Sequence, residues 1–111
     1  MFMDEILLER AADNCQPDSW HRAAPLLSGL HIDDDAQPAI VTAWLAQALP
    51  SALRDARLLV SKMAAQPWRI EVVSREHMVV SLLDNSRWNL HLHELPEHHV
   101  HHIERADRAV A

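Results

Sequence analysis

The hydrophobic period of this 111-residue chain changes at Pro67, and that change limits what the chain can fold into. Upstream, apolar residues recur every three to four positions, the period of a helix with one buried face. Asp4 to about Ala12 reads as a short amphipathic helix with acids in its first turn. A second helix is expected from Asp18 to Leu27, with Pro17 ahead of it, Ser28-Gly29 as its stop and Pro25 shortening or kinking it. A third is expected over 38–48, where Ile40, Val41, Trp44, Leu45 and Ala48 form a stripe. A fourth covers 51–65, with Leu53, Ala56, Leu59, Val60 and Met63 on one side.

Downstream of Pro67 the period falls to two. Arg69-Ile70-Glu71-Val72-Val73 has the β-branched content of a strand. Met78, Val80 and Leu82 alternate with His77, Val79 and Ser81, and Trp88, Leu90 and Leu92 alternate with Asn89, His91 and His93. Asp84-Asn85-Ser86 between these runs is a turn cluster. The pattern predicts a three-stranded antiparallel meander with one apolar face. After Pro96, Val100, Ile103, Ala106 or Asp107, and Val110 keep a helical spacing, which predicts a C-terminal helix over about 96–109. The alternative is a fourth short strand over His98 to Ile103. Three strands cannot shield their own apolar face. The expected fold class is therefore α+β: one domain over 1–111, with a helical half (about 1–66) packed on a sheet half (about 67–95). Trp44 and Trp88 fall on the apolar stripes and are expected in the core. Trp20 and Trp68 fall near element ends, where a tryptophan is either half-exposed or, more often, packed at the rim of its own core.

Charge narrows the partners. Ten Lys+Arg stand against 16 Asp+Glu, a formal net charge of −6, and Lys62 is the one lysine. Phosphate neutralisation needs clustered cations, so neither nucleic acid nor an anionic membrane surface is an expected partner. Helices followed by a hairpin suggest a winged helix, but no segment has the basic recognition face this needs. The single glycine, Gly29, excludes a Gly-rich phosphate loop. No apolar run approaches the ~18 residues of a spanning helix. The acidic N-terminus is unlike a signal peptide, and the lone Cys15 excludes an internal disulfide. These features predict a cytoplasmic protein.

Histidine is the residue that composition leaves to explain. Six of the nine histidines lie between 91 and 102. In a strand, His91 and His93 share the face opposite Trp88, Leu90 and Leu92 and stand about 7 Å apart. In the expected helix, His98 and His102 are one turn apart, half of a helical metal site. Imidazole suits zinc, nickel or iron(II), and Glu94 or Glu97 could add an oxygen. The metal candidates are therefore His91, His93, His98 and His102, with His99 and His101 as alternates. The other readings are a metal-free surface cluster and a pH-sensitive contact. Protonating all nine histidines would move the net charge from −6 to +3, mostly near a pKa of ~6.5.

His99-Val100-His101 followed by Glu104, after a Trp88-Asn89-Leu90 strand and a Pro96 turn, resembles the opening of the first metal motif of cupins, including thiol dioxygenases of the cysteine dioxygenase type. The resemblance spans about thirty residues and implies His99 and His101 as paired ligands. The motif's glycines are missing, and the remaining length holds neither a second motif nor a barrel.

Other chemistry is sparse. Cys15 stands near Asp13 and Asp18, which oppose thiolate formation. Ser19-Trp20-His21 lacks a nucleophile elbow. Asp33-Asp34-Asp35 lacks the spacing of a calcium loop and reads as capping and solvation. Together these features predict a small, acidic, histidine-rich, non-enzymatic binding or accessory protein whose partner is another protein or a second copy. The alternative is a His-cluster metal-binding protein or a small cupin-like metalloenzyme holding zinc, nickel or iron.

Overall fold

A computed structural model describes residues 4–16, 37–74, 76–93 and 99–107. Among the described residues three helices precede four strands: α1 (Glu5–Asp13), α2 (Gln37–Ala46), α3 (Pro50–Ala65), β1 (Trp68–Ser74), β2 (His77–Leu82), β3 (Ser86–His93) and β4 (His99–Asp107). The class is α+β, as the change of period predicts. The expected helix from Asp18 to Leu27, Trp20, the Asp33–Asp35 run, Glu94, Glu97 and His98 lie outside the described residues.

Local chemistry sets the helix ends. The Asp4 carboxylate accepts from the Ile6 amide at 2.9 Å, capping α1, and Glu5 follows in the first turn. Pro50 opens α3, where a missing N–H costs nothing. Gln66, extended ahead of Pro67, closes it.

The strands pair in the order β1-β2-β3-β4, all antiparallel. Trp88, Leu90 and Leu92 are 1%, 0% and 2% exposed, so the sheet's apolar face is the one predicted. The helices cover it, joining Val41, Leu45, Leu59, Val60 and Met63 to Met78, Val80 and Leu90 in one cluster. Each fully buried large side chain there stabilises by about 1.5–3 kcal/mol.

Where a C-terminal helix was expected, the chain forms β4. The cause of the mismatch is a bulge. His102 pairs with His91, but Val100 pairs with Leu92, leaving His101 as an extra residue. The bulge shifts the alternation by one, so Val100 (0% exposed) and Ile103 (6%) both enter the core although they are three residues apart. An i, i+3 apolar spacing therefore arises here in a strand. The Leu49 amide donates to the Val100 carbonyl at 2.9 Å and Ser51 Oγ donates to the His101 carbonyl at 3.0 Å, so the α2–α3 corner bonds the bulge.

Trp68 and Trp44 depart from expectation in opposite directions. Trp44 is only partly buried at the edge of the core. Trp68 is 1% exposed, and its Nε1 donates to the Ala11 carbonyl. Its backbone also pairs with the chain leaving α1: the Trp68 amide donates to Asn14 and the Gln16 amide donates to Trp68. The residue after Pro67 is therefore the anchor of α1.

The β2–β3 turn is held by a relay of side chains. Asn85 has φ 72°, the left-handed conformation that asparagine tolerates at the end of a three-residue hairpin loop. Asp84 Oδ1 accepts from both the amide and the hydroxyl of Ser86, and Ser86 Oγ accepts from Trp88 Nε1 at 3.1 Å. The Ser86 hydroxyl, aided by the Ser86 amide, holds the Asp84 carboxyl down at about 2. This stabilisation is present above the ordinary carboxylate value and is lost as pH falls toward 2. Ser86→Ala is expected to cost about 1–3 kcal/mol, because it strands a buried indole N–H. It should also flatten the acid limb of stability between about pH 4 and 2. Urea denaturation across that range measures both.

Candidate functional site

The face of the sheet away from the helices carries the histidines that the structure brings together. Cross-strand register aligns Ser74, His77, His91 and His102 in one row, one residue from each strand. The rings of His77 and His91 stack with centroids 4.7 Å apart and an 18° interplanar angle. Those of His91 and His102 lie 5.5 Å apart at 30°. The result is a three-rung imidazole ladder bridging β2, β3 and β4.

The outer rungs have polar partners. His77 Nε2 lies 2.8 Å from Asn89 Oδ1, and His102 Nε2 lies 3.1 Å from Glu104 Oε1. A carboxylate oxygen only accepts, so His102 carries hydrogen on Nε2. The middle rung differs. His91 Nε2 is buried and has no hydrogen-bond partner. Burial first, then the neighbouring His77 and His102, lower its affinity for a proton, and Glu104 opposes them. Farther along the face, Glu71 and Arg87 form an exposed ion pair at 3.5 Å, a contact worth at most about 1 kcal/mol.

Of the metal candidates, the structure unites His91 and His102. His93 and His99 are paired along the backbone, and the positions of their side chains lie outside the described set. His101 occupies the bulge. The one-turn relation expected between His98 and His102 depended on a helix that β4 replaces. His77, the remaining rung, was not among the candidates. Ring nitrogen lone pairs lie in the ring planes, so near-parallel stacked rings cannot aim at one ion ~2 Å from each. Among the described residues no three His, Cys, Asp or Glu side chains are grouped to hold a metal ion.

Cys15 is buried in the core on the helical side of the sheet, whereas the ladder lies on the other face. No Cys–His pair forms between them.

A second feature lies on the helical side. α1 and α2 border a groove of about 490 Å³. Its rim along α1 is Glu5, Glu9 and Asp13, one helical turn apart. Its floor is largely apolar, from Leu8 and Ala12 of α1 and Pro38, Ala39 and Ala43 of α2. Like charges at i, i+4 cost a few tenths of a kcal/mol per pair in an isolated helix. Among the described residues no ion pair relieves them. No helix among the described residues is long and apolar enough to cross a membrane. No family model, curated protein or solved structure matches the chain.

Proposed function

We propose that this protein is a non-enzymatic binding or accessory protein of the cytoplasm, and that the α1–α2 groove receives a cationic amphipathic helix of a partner protein. The supporting observation is the row of Glu5, Glu9 and Asp13 beside an apolar floor. A helix laid in such a groove buries apolar residues at i, i+3 and i+4 spacing and presents lysine or arginine to the rim. The net charge of −6 draws such a partner in and keeps anionic ones away. A second copy docked by the same face would set carboxylates against carboxylates, so the occupant is a different protein.

The test uses the full chain and a synthetic helix of leucine and lysine, with a scrambled peptide of identical composition as control. The amphipathic peptide is expected to bind at least about tenfold more tightly than the scrambled one. Binding should weaken as salt rises from about 0.05 to 0.5 M. The triple variant Glu5→Gln, Glu9→Gln, Asp13→Asn should keep its helical circular dichroism and lose about tenfold in affinity. Equal binding by the triple variant, or by the scrambled peptide, would remove the groove as the docking site.

A further inference from the structure

We infer that the His77–His91–His102 ladder is a proton-operated latch on β4, closed when its imidazoles are neutral and loosened by acid. The inference stands apart from the groove, which lies on the other side of the sheet. It rests on the geometry of the row. A neutral His91 can leave a bare lone pair at its buried Nε2, whereas a protonated His91 places an N–H there with no acceptor. The stacked neighbours also lie close enough for a second positive charge to repel the first. Proton binding at His91 is therefore coupled to the charge on the two neighbouring rings.

The surrounding groups set the direction. β1 contributes Ser74 to the row and Glu71 one position along, where Arg87 of β3 pairs with it. The β1–β2 turn carries Glu76, which hydrogen-bonds Ser74. β3 adds Asn89, bonded to His77, and β4 adds Glu104, bonded to His102. Glu104 is the acid that acts to retain a proton on His91, and burial and the two imidazoles outweigh it. The folded chain thus binds protons at His91 less readily than the unfolded chain does. The latch's contribution is present above the ordinary histidine value of ~6.5 and is lost as pH falls below it.

β4 is the element placed to respond. Among the described residues it is an end strand of the sheet, paired with β3 alone. Two of its residues, Val100 and Ile103, plug the core, and the α2–α3 corner bonds to its bulge. Acid release of β4 would uncover Leu90 and Leu92 and free that corner. An imidazole that is harder to protonate when folded makes opening more favourable in acid.

Amide hydrogen exchange of the full chain at pH 7.5 and 5.5, corrected for intrinsic chemistry, tests the latch. The β4 amides should lose about tenfold or more of their protection on acidification, and those joining β1 to β2 much less. His91→Phe keeps a stacking ring without a titrating nitrogen and should abolish most of the difference. If that variant fails to fold, His77→Gln, at the partly buried β2 rung of the ladder, should reduce the difference. Imidazole nitrogen shifts of the wild type should show His91 protonating less readily than an ordinary histidine. Uniform loss of protection across the sheet, an undiminished pH effect in the variants, or His91 protonating as readily as an ordinary histidine would each overturn the latch.

Discussion

Trp68→Ala is expected to remove about 3–5 kcal/mol of stability, a large part of the ~5–15 kcal/mol typical of a domain this size. The indole is 1% exposed and belongs to the cluster that joins all three helices to the sheet. Its loss opens a cavity under α1 and leaves the Ala11 carbonyl without its side-chain donor. The backbone bonds between Trp68 and residues 14–16 remain chemically intact, but they then hold a helix with much less to rest on. Exchange protection in α1 should fall before that in β2 and β3. Trp68→Phe retains most of the volume and loses one hydrogen bond, so a cost nearer 1–2 kcal/mol is expected. Urea denaturation of the two variants separates the packing contribution from the indole N–H. Equal losses would mean that Trp68 acts through its hydrogen bond, contrary to its place in the cluster.

Trp68 also shows what local pattern can and cannot reveal. The change of period at Pro67, the stripe of α3 and the inward Trp88-Leu90-Leu92 set were all legible, because each depends on residues within a few positions of one another. Trp68 looked like an element end because its burial comes from α1, more than fifty residues away. Part of the ladder was accessible by the same local reasoning. The observed register places the hairpin's centre at Asp84, pairing residues equally far on either side, and this sets His77 against His91. His102 was not accessible that way. Its place in the row depends on the bulge at His101, and nothing in the spacing of Val100 and Ile103 distinguishes a bulged strand from a helix. The helix that would set His98 one turn from His102 gives way to β4 over His99–Asp107, and His98 itself lies outside the described residues. Asn89 and Glu104, which anchor the outer rungs, carry no signature until their strands are aligned.

The bulge makes a second strong expectation. Val100→Asp should cost about 3–5 kcal/mol, because position 100 is 0% exposed and a carboxylate there has no cation to meet. His102→Asp, two residues away on the open face, should cost far less. Deleting His101 discriminates further. In a bulged strand the extra residue can be removed while Val100 still opposes Leu92 and Ile103 still opposes Leu90. The loss then falls on the local twist and on His101's own contacts, among them the Ser51 bond to its carbonyl, about 1–2 kcal/mol. In a helix the same deletion would rotate every later side chain by about 100°, carrying Ile103 off the buried face. Thermal or urea unfolding of Val100→Asp, His102→Asp and the His101 deletion should therefore rank the first as severe and the other two as mild. A deletion as damaging as Val100→Asp would mean that His101 is not a dispensable insertion. The pairing that places His102 against His91, and with it the ladder, would then have to be redrawn.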